Sequence, residues 1–351
     1  MQRLLPIPDM PRAATLFAAL MLGLSAAAPG ARAEVPRVVA DIAPIHALAA
    51  QVMGDLGAPD LLLPPDVSPH DYALRPSDAR ALEGADIVVW MGPDLAPWLE
   101  TPVETLAGDA AHVVLLASEG VRLLEFREGA RFAAHDHDAH AHEEEHAHAD
   151  EHAHDEDHAQ EEEHASDHAS DHGHDHAHGA HDPHAWLDPA NAMAFVDAIA
   201  GALAAADPAN AETYAANAAA ARADLAALTA EIAETVAPAR DAGFVVFHDA
   251  YQYFERAFGI EAAGAISLGD ASAPSAARLQ EVRATVEALG APCIAAEPQF
   301  DPGIVAAVAE GTQARAAVLD PIGVDLAPGP ALYGEMMRGL AASLAACAAG
   351  S

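Results

Sequence analysis

Twenty-one histidines occur in this 351-residue chain, and their spacing sorts them into two groups with different chemistry. Sixteen lie within residues 135–182, interspersed with seventeen carboxylates and with Ala, Gly and Ser. Imidazole is the usual protein ligand for zinc, copper and nickel, so this tract predicts weak, multiple and exchangeable metal sites. Its composition has almost nothing to bury, which predicts a disordered surface loop. Residues 142–146 (HEEEH) match the HExxH pattern, but that pattern needs a helix presenting both histidines in a packed site. A His/Glu tract produces it by chance.

The other five are His46, His70, His112, His184 and His248. Three of them stand where elements end. His70 falls after an apolar run and before a helix, His184 where the acidic tract gives way to ordinary sequence, and His248 at the close of the run 244–247. Asp320 closes a further run. Zinc takes about four N, O or S donors in a tetrahedral array, and His70, His184 and His248, completed by Asp320 or by water, would supply it. One histidine at a strand end is ordinarily a satisfied polar residue. The combination is the stronger argument, since two of the four lie on either side of the central helical stretch. His46, after the first strand, is a candidate for the surroundings of the site, and His112 is expected to begin a surface strand.

Positioning these side chains falls to an alternation of short apolar runs and helical stretches. Residues 35–42, 60–63, 86–91 and 112–116 read as buried strands, with helices at 46–53, 77–83 and 96–107 between them. Ser77 is read as the cap of the middle helix. Residues 191–206 and 208–236 then form helical stretches rich in Ala, Leu, Glu and Arg. From residue 243 the alternation restarts, with strands at 243–247, 263–266, 292–296 and 316–319 and helices at 251–258, 275–289 and 303–311. Such βαβ alternation implies parallel sheets covered by helices. The expected fold class is α/β, two similar parallel-sheet lobes joined by a long rigid helix. Ligands of such sheets bind beyond the carboxyl ends of the strands.

Arg3 and Arg12 precede an apolar run over residues 13–28, and Ala31 and Ala33 place small residues where a signal peptidase reads. Residues 1–33 are thus expected to be a cleaved signal peptide, because the apolar run falls short of the roughly 20 residues that span a bilayer. No Cys lies near the cleavage point to carry a lipid, and no later segment reads as a membrane span. The two cysteines, Cys293 and Cys347, read as one disulfide in an oxidising compartment; two buried free thiols are the alternative. The chain has no Lys, 16 Arg and 54 acidic residues, a formal net charge of -38. That charge repels nucleic acid and anionic membranes and favours cations.

The motifs in order are residues 68–78 (SPHDYALRPSD), 85–93 (ADIVVWMGP), 184–189 (HAWLDP), 247–254 (FHDAYQYF), 296–300 (AEPQF) and 319–323 (LDPIG). Together they resemble the ZnuA family of zinc-binding proteins that serve ATP-driven importers, and the similarity runs through nearly all of the chain after the leader. The resemblance implies two α/β lobes bridged by a rigid helix, with the metal in the interlobe cleft. It implies His70, His184 and His248 as ligands, with water or Asp320 in the fourth position. The His-rich insertion and the Cys293–Cys347 pair are also similar to features of some members. Several members have Gly-Ala-Ser before the first histidine, where this chain has Asp66, Val67 and Ser68. Manganese-binding relatives carry a carboxylate where this chain has His248, and an imidazole there favours Zn2+.

On this reading the segments are a leader (1–33), an N-terminal lobe (34–189, with the loop 135–182), a helical connector (190–238) and a C-terminal lobe (239–351). The expected function is high-affinity capture of Zn2+ in the periplasm and delivery to the membrane permease of an ABC importer. The protein is expected to act as a monomer, with a periplasmic zinc chaperone as a further partner. A periplasmic zinc buffer or adhesin without a dedicated permease is the alternative. A zinc enzyme would need a general base at an open coordination position. Asp71 and Asp249 are the candidates, and neither belongs to a hydrolytic motif, so no enzymatic activity is expected.

Overall fold

The computed structural model describes residues 35–127, 181–240, 242–267, 275–291 and 293–349. The expected signal peptide and nearly all of the expected His-rich loop lie outside the described residues.

Strands β1 (Val38–Ala40), β2 (Asp60–Leu61), β3 (Ile87–Trp90) and β4 (Ala111–Val114) form a parallel sheet in the order β2-β1-β3-β4. Helices α1 (Ala43–Met53), α2 (Pro76–Gly84) and α3 (Pro97–Leu106) connect them. All four residues of β3 are buried, as expected of a parallel strand covered on both faces. The start of α2 differs from the sequence expectation. Pro76, not Ser77, opens the helix, because its fixed φ suits the first turn, and the Asp78 carboxylate accepts the Arg75 backbone N–H at 2.8 Å.

The second half repeats the plan. Strands β5 (Phe244–His248), β6 (Ala262–Ser267), β7 (Cys293–Ala296) and β8 (Arg315–Val318) pair in parallel in the order β6-β5-β7-β8. Between the sheets in sequence run α4 (Pro189–Ala206) and α5 (Ala211–Val236), and the second half adds α6 (Gln252–Phe258), α7 (Ala276–Leu289), α8 (Pro302–Ala309) and α9 (Leu332–Ala348). Strand β5 shows the period of two that a doubly covered sheet imposes. Phe244 and Val246 join the large core shared with the first half. Val245 and Phe247 join a smaller core with Val282, Val286, Val305 and Val308 of α7 and α8.

Helix α5 has 26 residues, about 39 Å at 1.5 Å per residue. Its buried stripe of Tyr214, Ala218, Ala221, Leu225, Leu228, Ile232 and Val236 recurs every three to four residues, and it packs against α1, α4, α6 and α9. Helix α4 corrects one expectation: its 18 residues are apolar enough and long enough to cross a membrane. Alanines raise its hydropathy, while Phe195, Val196, Ile199 and Leu203 are buried in the core.

No element was expected after residue 319, yet α9 is the C-terminal anchor of the fold. It packs against α1, α5 and β8, and the Gln51 amide of α1 donates to the Pro330 carbonyl just before it at 2.7 Å. The expected disulfide is present between Cys347 of α9 and Cys293 of β7, closing 54 residues of chain. Such a loop is worth roughly 4 kcal/mol on the chain-entropy account.

Candidate metal site

In a sheet of order β6-β5-β7-β8 the chain leaves β5 toward one side and returns to β7 on the other. A crevice opens beyond the carboxyl ends of those two strands, where ligands of open α/β sheets bind. His248 is the last residue of β5, and Glu297 is the first after β7. They meet across the crevice: His248 Nδ1–H donates to Glu297 Oε1 at 2.7 Å. That bond fixes the tautomer and leaves Nε2 as a lone pair directed away from Glu297.

His184 is set the same way from the other half. Asp182 Oδ1 accepts both the His184 backbone N–H (3.0 Å) and Nδ1–H (2.7 Å). Asp182 is itself pinned, its N–H donating to the Leu124 carbonyl at 2.8 Å and its carbonyl accepting from the Tyr253 hydroxyl at 2.8 Å. Trp186 Nε1–H then reaches the Pro321 carbonyl at 2.8 Å, joining the HAWLDP and LDPIG segments. Asp182 was expected to close the disordered loop; it is 1% exposed, and His181 beside it bridges to Glu125.

His70 lies on the segment between β2 and α2. The Trp98 indole N–H holds the Pro69 carbonyl at 2.8 Å, and Tyr72 packs edge-on to the Trp98 ring at 5.4 Å. The Tyr72 hydroxyl in turn donates to Asp78 at 2.7 Å. Burial raises the Asp78 carboxyl, but the bonds from Tyr72, Arg75 and Ser77 outweigh it and hold it below the ordinary value.

These supports bring three histidines from distant segments together. His184 Nε2 lies 3.2 Å from His70 Nε2 and 3.4 Å from His248 Nε2, and one nitrogen from each of the three lies within 4.8 Å of the others. Zinc–nitrogen bonds of 2.0–2.1 Å in a tetrahedron place the nitrogens about 3.4 Å apart. With both Nδ1 protons committed to carboxylates, the Nε2 atoms of His184 and His248 face one another as lone pairs. Converging lone pairs repel unless a cation lies between them. Asp182 and Glu297 are 1% and 3% exposed, so two carboxylate charges stand directly behind the imidazoles, enough to offset a divalent ion. The three rings line a small open pocket together with Trp186, Phe300 and Ile322.

Asp320 is not among the side chains that share this cluster. Its Oδ1 accepts the N–H groups of Ile322 (3.2 Å) and Gly323 (2.8 Å), and Oδ2 that of Val324 (2.6 Å). It organises its own loop. His46 lies away from the cluster, with Nε2 on the Pro59 carbonyl at 3.0 Å and burial lowering its pKa. His112 is exposed on β4 as expected.

Neither candidate general base is poised at the cavity. Asp71 is exposed, and Asp249 is held by Arg127. That guanidinium also donates to Glu255 Oε2 at 2.8 Å and Oε1 at 2.9 Å. Burial pulls Arg127 down, but the bonds and charges of Glu255 and Asp249 hold it above its ordinary value. Burial raises the Asp249 carboxyl in spite of Arg127.

Sequence reasoning passed over Asp182, Glu297 and Arg127. Asp182 had a signal two residues before His184; nothing local pairs residue 297 with residue 248, and only their common strand-end position pointed there.

The profile of a protein family described as "Zinc-uptake complex component A periplasmic" matches residues 38–347. The chain is 50% identical over 339 residues to the high-affinity zinc uptake system protein ZnuA of Paracoccus denitrificans, covering 96% of this chain and 99% of that protein. It is 48% identical over 310 residues to the protein of the same name from Brucella abortus, covering 88% and 91%. A crystal structure of ZnuA superposes with a TM-score of 0.67 at 22% identity, covering 89% of this chain and 98% of that one. At that identity the likeness is one of fold.

Proposed function

The chain belongs to the family of periplasmic zinc-uptake components, and from that premise we propose that His70, His184 and His248 hold the transported Zn2+. At the coarser level the chain is the periplasmic zinc-binding component of an ABC-type importer, with a membrane permease as its partner. Its family is one of substrate-binding transport components rather than of enzymes.

One observation carries the ligand assignment: Nε2 separations of 3.2 and 3.4 Å around a point that a tetrahedral zinc–imidazole centre fits at about 3.4 Å. Neutral imidazoles leave the ion's double charge to be balanced by Asp182 and Glu297. Three nitrogen donors favour Zn2+ over the harder Mn2+. The fourth position is taken by water or by Asp320, and the three amide bonds that Asp320 already accepts favour water. The ion is released when the docked permease separates the segments carrying His70 and His248.

In this reading residues 1–33 are removed on export. The lobes are residues 34–189 and 239–351, with 190–238 between them. The His-rich tract gathers zinc in weak sites beside one tight site, a periplasmic chaperone supplies further zinc, and the protein works as a monomer.

The test is a competition titration with a chromophoric chelator on the wild type and on His70→Ala, His184→Ala and His248→Ala. One tight equivalent, lost in each variant while the weak equivalents persist, is expected. A variant that keeps the tight equivalent removes that histidine from the site.

A further inference from the structure

We propose that Gln299 is a positioning residue which, with Glu297, holds a water molecule on the fourth coordination position of the bound zinc. The proposal rests on the ligand assignment above and extends it to a residue on the facing wall.

Glu297 commits Oε1 to His248, accepting Nδ1–H at 2.7 Å and the backbone N–H at 3.4 Å. Its other oxygen, Oε2, is buried and has no hydrogen-bond partner among the described residues. Two residues further on, both amide atoms of Gln299, Oε1 and Nε2, are likewise buried and unpartnered. Both residues line the cavity that the three histidines line. A buried polar atom without a partner loses its hydration for nothing in return, and native proteins retain few of them. Two unpartnered acceptors on residues two apart, beside a set of converging lone pairs, point to a ligand that joins them.

The chemistry selects that ligand. A metal-bound water gives its lone pair to the ion and presents two O–H donors, so it needs two acceptors. Glu297 Oε2 and the Gln299 carbonyl are two acceptors. The nearest protein donor is the Tyr251 hydroxyl, which donates to the Leu319 carbonyl at 3.3 Å. It also lies within reach of the Glu297 carboxylate, whose charge adds to burial in raising the phenol well above its ordinary value; it leaves Glu297 Oε2 without a geometrically formed bond. Asp320 would have to release three backbone N–H groups to reach the ion.

The test loads one equivalent of Co2+, so that the tight site fills first, and records the visible ligand-field spectrum of wild type, Gln299→Leu, Gln299→Glu and Asp320→Asn. Zinc affinity is measured on the same four proteins. In Gln299→Leu the Co2+ bands should shift, added azide should perturb them at lower concentration, and zinc should bind about fivefold more weakly, the worth of one ordinary hydrogen bond. Gln299→Glu keeps an acceptor and should restore affinity. The metal-free Gln299→Leu protein should melt no lower than wild type, because two orphaned polar atoms are gone, and Gln299→Ala should repeat the affinity loss without added bulk. An unchanged spectrum and affinity in Gln299→Leu overturns the proposal, as does a Co2+ spectrum that responds to Asp320→Asn instead. Failure of the three-histidine assignment would look different: the wild type itself would lack one tight equivalent.

Discussion

Replacing Glu297 with glutamine keeps the shape of the side chain and removes one charge, which separates its metal-binding role from its packing role. In the folded protein Glu297 Oε1 accepts His248 Nδ1–H at 2.7 Å, and Glu297 is 3% exposed. Charge-assisted hydrogen bonds are about twice as strong as neutral ones. Carboxylate partners of metal-bound histidines are worth about 10- to 100-fold in affinity, or roughly 1.4–2.7 kcal/mol. Glutamine can still accept from Nδ1–H through its carbonyl, so Glu297→Gln should weaken zinc binding by about tenfold and Glu297→Ala by nearer a hundredfold. The metal-free protein should respond in the opposite sense. Its buried carboxylate is answered by neutral donors and leaves one oxygen unpaired, so neutralising it relieves a desolvation cost. Zinc affinity by chelator competition and thermal unfolding of the apo form give the two readouts. Affinity within twofold of wild type would refute the argument that this charge supports the ion. An apo form destabilised in step with the affinity loss would make Glu297 a packing residue instead.

Three further outcomes follow from the structure. Arg127→Ala strands Asp249 and Glu255, both under 10% exposed, and should cost about 3–5 kcal/mol in urea unfolding; Arg127→Lys should recover only part, lacking the fork that serves both carboxylates. Burial pushes the Asp41 carboxyl up to about 7, against the pull of the Met91 and Ile42 backbone N–H groups. The native state then holds a proton that the unfolded chain releases near pH 4, so stability should fall as pH rises from about 4 to 7, by up to about 1.4 kcal/mol per pH unit. Asp41→Asn should flatten that slope, and an identical pH profile for variant and wild type would contradict it. Deleting residues 135–180 should remove the weak zinc equivalents and spare the tight one. Extending the deletion through Asp182 should weaken the tight site by at least tenfold, and equal affinities for the two deletions would deny Asp182 its part in holding His184.

The strands were legible because parallel strands covered on both faces must be continuously apolar: residues 87–90 (IVVW) and 244–247 (FVVF) have few other uses. The three histidines were legible for a related reason, since they stand where such runs stop. Helix α9 was missed, although Leu332, Tyr333, Met336, Met337, Leu340, Ala341, Leu344 and Cys347 bury one face at helical spacing; Gly334, Gly339 and the many alanines dilute that contrast. Asp320 shows the limit of reasoning from strand ends. Asp followed by Pro, and Gly three residues on, is equally the signature of an Asx-type turn, and the carboxylate is spent on that turn. Glu297 and Gln299 could not be paired with the site from sequence, because their partners lie across a sheet, some fifty residues away, and meet them only once β5 and β7 are adjacent.

Zinc K-edge X-ray absorption on protein loaded with half an equivalent of Zn2+ tests the central claim most directly. The account predicts three imidazoles at about 2.0–2.1 Å and one further oxygen, with one imidazole fewer in His248→Ala. A shell of two imidazoles or fewer in the wild type, or one unchanged by that substitution, would contradict it.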